Sequence, residues 1–208
     1  METIKYTKME MDKIITKMMQ GGILAFPTDT VFGLGCIMDK EVMKKVYIAK
    51  GRDFKKPLPM MCDGLEMIKK VAYTDEKAEK IIKHFTPGPL TVILNKKEDV
   101  DDYITQGNKT IGIRVPDDEW ILELIQKIGK PIMVTSANIS NEGSLLKWKD
   151  VYASMKGKID GIVTEDARGD KASTIVKLVD EIEILRQGPI SLNEIEEILL
   201  WKNILYML

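Results

Sequence analysis

Three short polar clusters, each placed where an apolar run stops, constrain this chain more than any other feature: Pro27-Thr28-Asp29-Thr30, Lys50-Gly51-Arg52 and Ser136-Ala137-Asn138. The first and third follow runs of strand length, and the second follows a stretch with helical spacing. Hydroxyls and cations at the ends of such elements are what an α/β protein presents to a ligand. The pattern predicts a sheet with flanking helices and a crevice where these ends converge.

The rest of the chain reads in the same alternation. Met11, Ile14, Ile15, Met18 and Met19 recur at helical spacing between Met9 and Gln20, and Gly21-Gly22 ends the run. The methionines read as core packing, since their flexible side chains fill irregular gaps. Ile23 to Phe26 is a buried strand that Pro27, lacking an N–H, terminates. Gly33 and Gly35 read as a turn open to close approach. Lys40 to Ala49 is a helix that delivers Lys50 and Arg52 at its end. Leu58 to Cys62 is a short strand, followed by helices over Leu65 to Val71 and Asp75 to Phe85.

Pro87-Gly88-Pro89 turns the chain into the strand Leu90 to Leu94, and the mixed charges of Lys96 to Asp102 read as a solvated loop. Thr110 to Val115 alternates as a strand, Pro116 stops it, and Asp117 and Asp118 open a helix through about Ile128. A strand over Pro131 to Val134 precedes the third cluster, with a helix around Lys149 to Met155 beyond it. Strands over Ile159 to Val163, Thr174 to Val179 and Ile182 to Leu185 follow, the last two able to form a hairpin. Ser191 and Glu194 make a capping box for a final helix running toward Tyr206. With no internal repeat and no Pro-, Gly- or Ser-rich linker, residues 1–208 read as one domain built on a twisted mixed sheet.

Composition excludes several function classes. With 31 basic and 32 acidic residues the net charge is −1, so the molecule as a whole does not attract polyanions, although a basic cleft is compatible with that balance. Apolar runs are strand-sized and the N-terminus lacks a secretion-signal layout, so no membrane partner is expected. Cys36 and Cys62 are too few for a disulfide framework and sit in apolar surroundings, which fits a reducing cytoplasm. His84 is the only histidine and reads as a helix-surface residue, which disfavours a Ser-His-Asp triad or a histidine-cysteine metal cage. The Walker loop, the dinucleotide Gly-x-Gly-x-x-Gly fingerprint and the Gly-x-Ser-x-Gly elbow are all absent.

What remains is a site for an anion. Lys50, Arg52 and Lys56 place a mobile point charge and a planar fork close together, as phosphate oxygens require. Helix-dipole complementation and solvated lysines account for the same residues equally well. Ser136 and Asn138 flank a small Ala137, so one loop can aim both into a crevice, though Ser-Ala-Asn also makes ordinary turns and caps. Arg114, at the end of an apolar strand, needs solvent or an anion, and a substrate carboxylate suits it.

Seven phrases, in order, resemble the YrdC-like family of threonylcarbamoyl-adenylate synthases. They are Phe-Pro-Thr-Asp-Thr-Val-Phe-Gly-Leu-Gly from Phe26, Ala-Lys-Gly-Arg from Ala49, Thr-Pro-Gly-Pro-Leu-Thr from Thr86, Ile-Gly-Ile-Arg-Val-Pro from Ile111, Thr-Ser-Ala-Asn from Thr135, Ser-Thr-Ile-Val from Ser173 and Ile-Leu-Arg-Gln-Gly from Ile184. The resemblance spans about Gly21 to Gly188. It implies a twisted mixed parallel and antiparallel α/β sheet with flanking helices and a cationic concave face, similar to the double-stranded-RNA-binding type of α/β fold.

It also implies a nucleotidyltransferase that makes threonylcarbamoyl-AMP and pyrophosphate from L-threonine, bicarbonate and ATP with Mg2+, for the t6A modification of tRNA. By resemblance, Arg52, Lys56, Thr110, Ser136, Asn138, Ser144 and Arg186 would hold ATP, and Thr30, Arg114, the backbone at Val134, and Ser173 would hold threonine. Lys50 and Arg52 would be catalytic, neutralising the departing pyrophosphate, with no protein ligands to a metal. Because water must be kept from the mixed anhydride, the Lys55 to Pro59 loop or the Ile139 to Ser144 loop is expected to close over the ligand. Implied partners are a downstream threonylcarbamoyl-transferase complex and, by direct contact, tRNA or double-stranded RNA.

Several positions depart from the family pattern. Phe32 replaces a usual tyrosine, Met61 stands where some relatives have histidine, and Glu165 to Lys171 replaces a glycine-rich segment. Ala172 and Lys177 replace acids around Ser-Thr-Ile-Val, so the amino-acid end departs more than the ATP end. The additional C-terminal domain of longer relatives is expected to be missing. Two further readings fit the same residues: a module that binds double-stranded RNA or tRNA, and a paralogue that adenylates another carbamate.

Overall fold

The apolar runs become ten strands of one sheet, ordered β1-β8-β2-β3-β7-β4-β6-β5-β9-β10. The structure is a computed structural model that describes the backbone of residues 2–205 and the side chains of residues 2–200. The strands are β1 (Ile4–Tyr6), β2 (Leu24–Phe26), β3 (Gly33–Ile37), β4 (Met60–Met61), β5 (Leu90–Asn95), β6 (Thr110–Arg114), β7 (Ile132–Ser136), β8 (Gly161–Val163), β9 (Thr174–Lys177) and β10 (Glu183–Arg186). Parallel pairs (β1/β8, β2/β8, β4/β6, β5/β9) mix with antiparallel ones (β2/β3, β3/β7, β4/β7, β5/β6, β9/β10), which is the mixed sheet expected.

The helices are α1 (Met11–Met19), α2 (Lys40–Lys50), α3 (Leu65–Val71), α4 (Glu76–Phe85), α5 (Asp102–Thr105), α6 (Glu119–Ile128), α7 (Trp148–Met155) and α8 (Leu192–Leu205). Aspartate side chains start three of them: Asp39, Asp75 and Asp118 accept from the first-turn N–H groups of α2, α4 and α6. The Ser191–Glu194 box opens α8 as expected, and Tyr206 lies outside the described residues. α1 packs on α6 and β3, burying Ile14 and Met18 completely.

Three elements differ from the sequence reading. β1 and α5 are too short to leave a periodic signal. Residues 33–37, read as a turn, form β3, between β2 and β7. Gly33 and Gly35 are there for close approach: a Cβ on Gly35 would lie 2.5 Å from the Phe26 ring, and one on Gly33 2.9 Å from Val134 Cγ1. Cys36 and Cys62 are buried free thiols, and burial raises both, Cys36 to about 12. Among the described residues no helix is long and apolar enough to cross a membrane.

Candidate active site

Pro27 ends β2, and the chain then makes a turn stabilised by its own hydroxyls. Thr28 Oγ1 donates to the Val31 carbonyl at 2.7 Å and accepts from the Thr30 N–H at 3.1 Å. That fixes Thr30 at a cavity of about 280 Å3, a size suited to small molecules.

Strand register supplies the opposite wall. Arg114 ends β6 and pairs with Thr91 of β5, which in turn pairs with Ile175 of β9, so one rung crosses three strands. Met61 of β4 extends the rung on the other side of Arg114. The period of two puts Gly112 and Arg114, and likewise Thr91 and Ile93, on the cavity face, while Ile113 and Val92 are buried away from it. Thr91 Oγ1 and Ser173 Oγ share a hydrogen bond of 2.8 Å at the end of this rung.

Arg114 is almost wholly buried. Its Nε donates to the Gly88 carbonyl at 3.1 Å, Nη1 to Thr30 Oγ1 at 2.6 Å and Nη2 to Asp29 Oδ2 at 2.6 Å. The anion that its burial demands is thus already supplied in part by Asp29, an internal partner that the sequence reading did not assign. Burial lowers the Arg114 pKa and the nearby Asp29 opposes that shift. A guanidinium has five N–H donors, so two remain for a ligand.

Arg186 reaches the same wall from β10, where a register shift between Ile184 and Arg186 marks a bulge of the kind that re-aims a side chain. Its Nε and Nη2 donate to the Ser173 carbonyl at 3.0 and 2.7 Å, and Nη2 also meets Ser173 Oγ at 3.1 Å. Arg52 follows Gly51, whose φ of 58° closes α2 in the left-handed conformation glycine favours. Arg52 Nε and Nη2 donate to the carbonyls of Lys56 and Pro57 at 3.1 and 3.0 Å, pinning the loop that follows.

Three arginines therefore line one cavity that, among the described residues, no carboxylate lines. Asp29 lines a neighbouring cavity with Asp117, Asp118 and Arg168 and forms a salt bridge with Arg114. Among the described residues Arg52 and Arg186 form no salt bridge, so the cavity has uncompensated positive charge and suits a ligand with more than one negative charge. Hydroxyls of Thr30, Thr91, Ser136, Ser144 and Ser173 add directional partners, and Phe32, Met60 and Val134 give an apolar floor. Among the described residues no three or more His, Cys, Asp or Glu side chains come together as a metal cluster.

Of the residues singled out in the sequence, Thr30, Arg52, Arg114, Val134, Ser136, Ser144, Ser173 and Arg186 all line this cavity. Lys50, Lys56, Thr110 and Asn138 do not. Thr110 lies on the same face of β6 as Gly112 and Arg114, farther along the strand. Lys56 is exposed and contributes its backbone carbonyl. Lys50, expected to face a departing phosphate, is 1% exposed with its ammonium held by Ser136 and Asn138. Two residues without a sequence-based role join the site: Thr91 lines the cavity and Asp29 holds Arg114. The signal for Thr91 was a hydroxyl alternating with Ile93 in an otherwise apolar strand.

The altered segment before Ser173 packs on the Thr28–Thr30 turn: the Arg168 N–H donates to the Thr28 carbonyl at 3.2 Å, and Arg168 Nη2 meets Asp118 Oδ2 at 3.0 Å. Phe32, Met61 and Ala172, three of the positions that depart from the family pattern, all line the cavity.

Comparison with known proteins sets this geometry in context. A family model for the Sua5, YciO and YrdC proteins, described as telomere recombination, matches residues 16–188. A threonylcarbamoyl-AMP synthase of Pyrococcus abyssi is 37% identical over 184 residues, 86% of this chain and 54% of that protein. One from Bacillus subtilis is 37% identical over 182 residues, 85% of this chain and 53% of that protein. The chain thus spans about half the length of these curated relatives. The structure of P. abyssi Sua5 complexed with L-threonine superposes with a TM-score of 0.87 at 33% identity, covering 95% of this chain and 60% of that one.

Proposed function

The chain belongs to the Sua5, YciO and YrdC family, and from that premise we propose that it is a threonylcarbamoyl-AMP synthase, converting L-threonine, bicarbonate and ATP to threonylcarbamoyl-AMP and pyrophosphate. The observation that carries this reading is the convergence of Arg52, Arg114 and Arg186 on a cavity without a carboxylate in its wall. A triphosphate and an amino-acid carboxylate together supply the negative charge such a wall favours.

In this proposal the two N–H groups left on Arg114 meet the threonine carboxylate, with Thr30, Ser173 and the Val134 backbone beside it. Arg52, Arg186, Ser136, Ser144 and, farther along β6, Thr110 hold the nucleotide, and Lys56 borders it through the loop that Arg52 pins. The threonine amine combines with bicarbonate, losing water, to give a carbamate. A carbamate oxygen then attacks the α-phosphorus, and the bond from that phosphorus to the pyrophosphate oxygen breaks. Arginines fixed before the reaction stabilise the charge that develops on the leaving group, so no covalent protein nucleophile is needed. Magnesium bound to the nucleotide would add to the neutralisation of phosphate charge that Arg52 and Arg186 supply.

The mixed anhydride product hydrolyses readily. That favours a reaction sheltered from water, with the Lys55 to Pro59 loop or the Ile139 to Ser144 loop as a cover, and a transferase acting on tRNA to consume the product. The cytoplasm, where tRNA and ATP meet, is the corresponding location.

Pyrophosphate release from ATP, with magnesium and bicarbonate, tests the reading when L-threonine is present or withheld. Threonine-dependent release that Arg52→Ala abolishes supports it. Absence of release from folded protein, or equal release with serine or other amino acids, overturns the threonine-specific assignment.

A further inference from the structure

Lys50 is a lysine inside the protein with no carboxylate partner among the described residues. Its ammonium donates to the Ser136 carbonyl, to the Asn138 carbonyl at 2.7 Å and to Asn138 Oδ1 at 3.2 Å. An ammonium has three N–H donors, and all three are taken. The contacted segment is itself closed: Asn138 Nδ2 donates to the carbonyls of Ile139 at 3.0 Å and Glu142 at 2.7 Å, and the Ser140 N–H returns to the Lys50 carbonyl at 2.9 Å.

We infer that Lys50 is a positioning residue, which ties the end of α2 to residues 136–142 and so sets Ser136 and Ser144 on the cavity wall, rather than a cation that touches the ligand. The chain of contacts runs from a rigid helix end, through one buried amine, to two carbonyls and a side-chain amide that fix a loop. Ser136 opens that segment, Ser144 lies two residues beyond it, and both line the cavity. The cations that meet an anion there are Arg52 and Arg186, which have N–H groups left beyond their internal bonds. The inference shares with the proposed function only the premise that the cavity takes a phosphate-bearing ligand.

Amine labelling of the full chain tests it without turnover. The folded protein is treated with an acetylating reagent at pH 7.5, with and without pyrophosphate or ATP, and labelled lysines are identified by peptide mass spectrometry. Exposed Lys55 and Lys56 should label while Lys50 stays unlabelled in every arm. Ready labelling of Lys50 in the free protein, with protection by pyrophosphate, overturns the inference.

A double-mutant cycle on ATP affinity supplies the second readout. Lys50→Met and Asn138→Ala should each weaken binding by about tenfold, and the double variant by about the same, because the two act as one unit. Additive losses, or a loss confined to Lys50→Met, indicate direct contact. No loss in folded Lys50→Met overturns the positioning role. Should that variant not fold, the labelling of the unmodified chain still decides.

Discussion

Asp29 holds Arg114 at 2.6 Å with both side chains at least nine-tenths buried, joining the turn after β2 to the end of β6. The pair spans most of the length of the chain between the first cluster and the fourth phrase, and it fixes the guanidinium at the cavity wall before any ligand arrives. Asp29 Oδ1 has no hydrogen-bond partner among the described residues, so a single oxygen makes this contact.

Removing one member of a buried ion pair leaves the other charged and unbalanced, which costs about 3–5 kcal/mol. Asp29→Ala is therefore expected to lower unfolding free energy by that order, read by urea denaturation. Asp29→Ala combined with Arg114→Met should recover part of the loss, since both charges are then gone. A single-variant loss below about 1 kcal/mol, the level of a surface pair, would show that Asp29 does not anchor Arg114.

Burial, with repulsion from Arg52 second, lowers Lys50 from its ordinary value to about 8. An unfolded lysine titrates near 10.5, so between about pH 8 and 10.5 the unfolded chain binds more protons than the folded one. Stability attributable to Lys50 must rise across that window as the buried charge is relieved, by at most about 1.4 kcal/mol per pH unit. Comparing urea unfolding of the wild type with Lys50→Met from pH 7 to 10.5 should show this rise in the wild type alone. A difference that is flat with pH would contradict it.

Gly169 has no room for a side chain. A Cβ there would lie 2.3 Å from the Thr30 carbonyl oxygen and 2.5 Å from Thr30 Cα, backbone atoms that cannot swing aside. Gly169→Ala should cost about 1–3 kcal/mol through overpacking and, on the proposed role of Thr30, weaken threonine binding. Thermal unfolding with amino-acid affinity checks both, and unchanged values for each would mean that the segment lifts freely from the turn.

The sequence made the helices legible because α1, α4 and α6 each carry a clear apolar face, and α4 and α6 also carry aspartate caps. Most strands were legible as apolar runs ended by Pro27, Pro116 or a polar cluster. β3 was not, because Gly33 and Gly35 have the local signature of a turn, and only the Phe26 ring and Val134 packed against them explain glycine there. The site was legible as far as types and order: eight of the residues singled out line one cavity.

What the sequence determined alone is the local chemistry: caps, turn hydroxyls, the end of each apolar run, and a resemblance carried by short phrases. Whether a cation faces the ligand or the protein is a different kind of fact. Lys50 and Arg52 are two residues apart, yet Lys50 is enclosed by carbonyls of residues 136 and 138 while Arg52 lines the cavity. Arg114 and Asp29 find each other across 85 residues. Only the tertiary structure decides such pairings, because burial and partner distance set the electrostatics of a charge, and both depend on strands and loops remote in sequence.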